Sequence, residues 1–223
     1  MGWNEHCIKD RFKNKSSLIF IFFMLAYWAQ TLFSLFDKHI APPPDLFAAA
    51  SITSFIFMIH LFFRFRAVVP LFLGIGFVPH VIGLYKIIPY NEYYSGTLYG
   101  WSFFNYHYDW IVHFFAIFCF SIAFCSIFYP YYKKNFKSKF LIFVLILFFM
   151  LGLGAFNEIL EYVGFDVLGY GEGFLEFGPG DCSPYEGPWQ NSSMDLIFNL
   201  FGAVSGIGLF LIVKECQEKI HST

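Results

Sequence analysis

Charge is scarce in this sequence: Asp, Glu, Lys and Arg make up only 13% of its 223 residues, against about 25% in a typical soluble domain. That excludes an ordinary water-facing surface, and a net charge of −2 gives no reason to expect a nucleic-acid partner. A disulfide framework is also lacking. Of five cysteines, Cys7 and Cys216 lie in the tails and Cys119 and Cys125 share one apolar run, which leaves Cys182 alone in a candidate outer loop. There is no Walker loop, no dinucleotide-binding glycine pattern, no His-Glu-x-x-His and no nucleophile elbow. No internal repeat is visible, which weakens an inverted-repeat transporter. The first apolar run contains Tyr27, Trp28 and Gln30 and ends at Phe36-Asp37-Lys38-His39 without a small-residue cleavage site. It is expected to be a retained signal anchor.

What is abundant is apolar and aromatic. Hydrophobic residues make up 57% of the chain, 34 of them phenylalanine, and the mean hydropathy is +0.57. They fall in six runs, roughly 18–36, 46–63, 68–85, 108–129, 140–163 and 194–213, each near the ~20 residues that a bilayer core requires. The expected fold is an all-α membrane bundle: a single transmembrane domain over 1–223 with six spanning helices. Pro42-Pro43-Pro44-Asp45 supplies the start of the second run, and Arg64 and Arg66 mark a tight turn after it.

The charges give the orientation. With the N-terminus in the cytoplasm, twelve of the fourteen basic residues fall inside, including Arg64, Arg66, Lys133, Lys134, Lys137, Lys139 and Lys214, and only Lys38 and Lys86 fall outside. The connections that decide this are short, so the Lys/Arg bias governs. Both termini are expected in the cytoplasm, and the protein in the plasma or bacterial inner membrane. Twelve of the sixteen acidic residues sort to the outside. Two long outer connections remain, about 86–107 and 164–193. The second places six glycines between Gly164 and Gly180, interleaved with Glu172 and Glu176. It reads either as a flexible acidic loop, with room to dock an extracytoplasmic partner, or as a lid over a site.

Ionisable residues inside spans are costly and point to function. His80 follows Pro79 in the third run, and Asp109 and His113 stand at i, i+4 in the fourth. Asn157, Glu158 and Glu161 close the fifth; Asn191, Asp195 and Asn199 open the sixth at i, i+4, i+8. In the expected topology all lie in the outer third of the membrane, and the inner halves of the same helices are nearly all apolar. Crowded carboxylates in a low dielectric take up protons or bind a cation. Mixed imidazole and carboxylate donors suit a divalent metal such as Zn, Mn or Fe. The alternatives are a protonated or ion-conducting cluster, and a structural network in which Asn157, Asp195 and Asn199 bond neighbouring helices. His60 and His39 read as interfacial. Gly202, Ser205, Gly206 and Gly208 give the sixth helix a small-residue face suited to close packing, and the aromatics of 90–108 suit an interfacial belt.

Three stretches carry a family resemblance: Tyr108-Asp109-Trp110-Ile111-Val112-His113-Phe114, Asn157-Glu158-Ile159-Leu160-Glu161-Tyr162, and Asn191-Ser192-Ser193-Met194-Asp195 through Asn199-Leu200-Phe201-Gly202-Ala203. In order and spacing they resemble the YjdF-like family, bacterial and archaeal inner-membrane proteins of unknown molecular function. His80 ahead of Tyr85 also fits, and the resemblance covers the last two-thirds of the chain. The family often opens the last motif with Asp-Thr, where this chain has Asn191-Ser192; if that Asp is a ligand in relatives, Asn191 replaces it as a neutral oxygen donor. A more distant likeness is to VanZ-like membrane proteins, which are linked to glycopeptide resistance. The expected function is a metal site held by His80, Asp109, His113, Asp195 and Asn191, with Glu158 or Glu161 as general base. Its expected use is hydrolysis or transfer on a lipid or lipid-linked envelope substrate. The alternatives are a small-cation or proton-coupled transporter and a structural or accessory subunit, so whether the protein is an enzyme stays open at this point.

Overall fold

The computed structural model describes residues 12–37, 43–85, 99, 102–103, 106–135, 138–163 and 188–222. Among them are six helices: α1 (Lys15–Ser34), α2 (Pro43–Phe63), α3 (Val68–Gly83), α4 (Tyr108–Asn135), α5 (Lys139–Val163) and α6 (Pro188–Ser222). A two-residue antiparallel pair, β1 (Ser102–Phe103) and β2 (Tyr106–His107), leads directly into α4. The glycine-rich outer connection and the terminal cysteine Cys7 lie outside the described residues.

Among the described residues five helices are long and apolar enough to cross a membrane: Lys15–Ser34, Leu46–Phe63, Tyr108–Tyr131, Phe140–Val163 and Trp189–Ile220. The third expected span is shorter than the sequence suggested. α3 has 16 residues and ends at Gly83, which at 1.5 Å per residue gives about 24 Å against a hydrocarbon core of about 30 Å. α6 differs in the other direction. It begins at Pro188, so 188–193, expected in the outer loop, are helical. Proline is tolerated in a first helical turn, whose N–H groups have no intrahelical partner.

Local chemistry sets several ends. Asn14 caps α1 by accepting from the Ser16 amide at 3.2 Å. α2 stops where Arg64 adopts a left-handed φ of 52°, and the Arg64 amide closes back on the His60 carbonyl at 2.8 Å. His60, expected at the interface, is buried instead. Its Nδ1 accepts from the Phe65 amide at 3.0 Å, which leaves Nε2 to donate to Ser17 Oγ at 3.0 Å. It is a structural pin joining α1, α2 and the turn into α3.

Polar groups point inward and large apolar groups outward. Asp109, Glu158, Asn191, Asp195 and Asn199 are buried, while Phe22, Phe55, Phe148 and Ile212 are each more than 60% exposed. That distribution is costly in water and natural in lipid. α4 is the hub, with α3, α5 and α6 packed on it. Its contact with α6 depends on small residues: a Cβ at Gly202 would lie 2.4 Å from the Phe114 carbonyl oxygen, and one at Gly206 2.5 Å from that of Phe118. The two backbones therefore touch along a Gly-x-x-x-Gly seam. Gly208, grouped with this face in the sequence, meets nothing within 4 Å. Away from the polar end, α4, α5 and α6 share an apolar core of Ile117, Cys125, Ile142, Ile146, Met150, Ala203 and Ile207.

Candidate metal centre

Three helices deliver the centre. α4 supplies Asp109 in its first turn and His113 one turn on. α5 supplies Glu158 and Glu161 near its end, and α6 supplies Asn191, Asp195 and Asn199 along its buried face. The imidazole of His113 is the meeting point. Its Nε2 lies 3.5 Å from Asp109 Oδ1 and 3.9 Å from Asp195 Oδ1. Its Nδ1 lies 3.9 Å from Glu158 Oε1. One ring thus faces two carboxylate sets, one from each nitrogen.

Two groups have ligand atoms close enough to share an ion: Asp109, His113 and Asp195, and His113, Glu158 and Glu161, with all atoms in each within 4.8 Å of one another. The set is nearly closed to water, and Asp195 is 0% exposed. Even with His113 protonated, the ionised carboxylates would outnumber the cations, a state that costs several kcal/mol per uncompensated ion, by order of magnitude. A divalent cation or bound protons resolve that imbalance.

Unsatisfied oxygens point the same way. Asp195 Oδ1, buried and facing the ring, accepts no hydrogen bond, and neither amide atom of Asn199 has a partner. Such groups each cost about 1–3 kcal/mol when left unmet. Asn199 sits one turn deeper than Asp195 on the same face of α6, and Gly154 of α5 makes the room for it: a Cβ there would lie 2.7 Å from Asn199 Nδ2. The donors present, an imidazole nitrogen with several carboxylate and amide oxygens, fit a divalent cation of the Zn, Mn or Fe type.

Not every residue picked out in the sequence joins this group. His80 stands outside both ion-competent sets; its Nδ1 is 2.6 Å from the Tyr99 hydroxyl, whose ring lies edge-on to the imidazole. Asn191 is buried beside the centre, but it presents Nδ2 to Asp195 Oδ2 at 3.0 Å. It orients that carboxylate through Nδ2, and its Oδ1, the expected neutral donor, is buried beside the centre. Asn157 behaves alike, its Nδ2 donating to Glu161 Oε1 at 2.6 Å.

Two aromatic residues quoted above only as parts of a motif complete the surroundings. The Tyr108 hydroxyl donates to the Pro79 carbonyl at 2.7 Å, tying the end of α3 to the start of α4. Trp110 stacks on Phe198, centroids 5.3 Å apart, and covers the α4–α6 seam. The aromatic richness of 90–108 was visible, but which rings would turn inward depends on the path of the chain between α3 and α4.

This is a multi-pass helical membrane protein with a buried His–carboxylate cluster at one end of the bundle. Within that class, the chain belongs to the DUF2238 family of predicted membrane proteins, which it matches over residues 16–215. The YjdF-like resemblance read from three motifs is to this same family, and the match extends it to nearly the whole chain. No curated protein and no solved structure matches this chain.

Proposed function

We propose that the protein holds one divalent cation on His113 Nε2, Asp109 and Asp195, at the extracytoplasmic end of a six-span bundle with both termini in the cytoplasm. The observation that carries this is the division of the His113 ring, with Asp109 and Asp195 on one nitrogen and Glu158 on the other. A metal-bound imidazole commonly gives its second nitrogen to a carboxylate that fixes ring and tautomer, and Glu158 is placed for that part. Three protein ligands with positions left open resemble catalytic rather than structural sites. Bound there, a divalent cation supplies Lewis acidity and a more acidic water. In this reading Glu161, whose Oε1 accepts from Asn157 and which groups with His113 and Glu158, takes the proton.

Two features favour a one-sided enzyme on a lipid or lipid-linked substrate, by hydrolysis or transfer. First, a groove of about 530 Å³ on the flank of α4 and α6 is lined by Phe114, Met194, Phe198 and Phe201, the first two next in sequence to His113 and Asp195. Its walls suit an acyl or isoprenoid chain. Second, the inner part of the same helices is filled, among the described residues, by the apolar core around Ile146 and Ile207 with no carboxylate or imidazole in it, which argues against a transporter. For orientation, Arg66 and Lys214, distant in sequence, line one groove at the opposite end, as the positive-inside distribution requires. α3 completes the sixth crossing by drawing the bilayer thin at its ends, at a modest cost per ångström.

Metal content of the detergent-purified protein, by inductively coupled plasma mass spectrometry, tests the reading. About one equivalent of Zn, Mn or Fe, absent from a folded His113→Ala/Glu158→Gln variant, is expected. No metal in either after reloading overturns it and moves a proton pathway or an accessory subunit to the front. A cytoplasmic fluorescent signal from a C-terminal fusion is the expected topology result.

A further inference from the structure

We propose that the groove at the end away from His113 is a binding site for one anionic glycerophospholipid of the cytoplasmic leaflet. The groove encloses about 420 Å³ where α3 and α6 diverge over α4. Its rim carries Arg66, from the turn before α3, and Lys214 with Gln217, from α6; its walls include Phe72 and Leu209, and Ser126 lies on its floor. Among the described residues no carboxylate lines it.

The order of these groups is that of an amphiphile. Two cations and an amide stand at the rim, and the space beneath is bounded by aromatic and aliphatic side chains. One rim cation stands in the turn before α3 and the other on α6, so a single phosphate bridges the α3 and α6 sides. Arg66 offers a planar fork that matches phosphate oxygens. The Lys214 ammonium is held at the mouth, donating to Gln217 Oε1 at 2.9 Å and lying 5.8 Å from the Phe210 ring centroid. A free phosphate would use the rim and leave the apolar walls bare; a neutral lipid would use the walls and leave the cations unanswered. Basic pockets between transmembrane helices on the cytoplasmic side attract anionic head groups, which are enriched in that leaflet. The site is separate from the cation centre and does not depend on it.

Native mass spectrometry of the full chain released from nanodiscs tests the proposal, with equal phosphatidylglycerol and phosphatidylcholine as probes. One retained phosphatidylglycerol, favoured about fivefold over phosphatidylcholine, is the expected result. Arg66→Gln/Lys214→Gln, at one exposed and one half-buried position, should abolish the preference while leaving the fold intact. Leu209→Trp, which fills the groove and keeps both cations, should also release the lipid. Equal retention of the two lipids overturns the proposal. So does a preference that survives Leu209→Trp, which would mean diffuse surface attraction, or displacement of phosphatidylglycerol by millimolar inorganic phosphate, which would mean a phosphate site.

Discussion

The two ends of this bundle are built from the same helices and held by opposite means. At one end α4, α5 and α6 bring Asp109, His113, Glu158 and Asp195 together, with Asp195 Oδ1 and the Asn199 amide buried and unsatisfied. At the other they meet through Ile142, Ile146, Met150 and Ile207 with no charged side chain in the core. In lipid the apolar end gains little from exclusion of water and holds by close packing. The polar end is uneconomical unless something occupies it. Stability and function are therefore separable along the bundle axis, and substitutions at the two ends should behave differently.

The largest effect should come where the two ends share a contact. Gly202→Leu places a side chain against the backbone of α4, so it should cost more than about 4 kcal/mol and abolish both the folded state and metal retention. Purification yield and thermal unfolding in detergent measure it. A folded Gly202→Leu variant would break the picture of one rigid seam. Asp195→Asn should remove the metal completely. It should also leave the metal-free protein as stable as before, or more so by about 1 kcal/mol, because a buried uncompensated charge disappears. If that variant instead unfolds in the metal-free state, the outer end is structural.

Ile146→Ala should do the reverse, costing about 2 kcal/mol through a cavity among α4, α5 and α6 while metal stoichiometry stays unchanged. Glu158→Gln should keep the stoichiometry and weaken affinity about 10–100-fold, the usual effect of losing a carboxylate behind a ligating histidine. Competition with a fluorescent chelator measures that. The smallest effect belongs to Gly208→Ala: nothing lies near its Cβ position, so a change within about 0.5 kcal/mol is expected in the unfolding midpoint.

Much of this was legible in the sequence where one-dimensional pattern decides structure. The apolar runs gave the helices, and the i, i+4 spacing of Asp109 and His113 put both on one face of α4. The carboxylates of α5 and α6 were placed at the same depth by counting along their helices. Hydropathy failed where polar residues occupy a helical turn: Trp189, Gln190 and Ser192 fell in the expected loop, yet belong to α6, and only the i, i+4 spacing of Asn191 and Asp195 placed Asn191 on its face. His80 shared the depth of the cluster, but which way a side chain turns is set by neighbours distant in sequence, and Tyr99 holds it. His60 was misread for the same reason, since Ser17 and Phe65 reach it only in the folded bundle. Gly154 gave no signal of its own, because its importance lies in the Asn199 amide across the helix pair.

The central claim is that one imidazole, that of His113, anchors the cation. X-ray absorption at the metal edge of the zinc- or manganese-loaded protein addresses it directly, by counting the scatterers around the ion. The account predicts one imidazole with two or more oxygen donors and no sulfur, and loss of the imidazole signal in His113→Gln. Two imidazoles, which would bring in His80, or an unchanged spectrum in that variant, would contradict it.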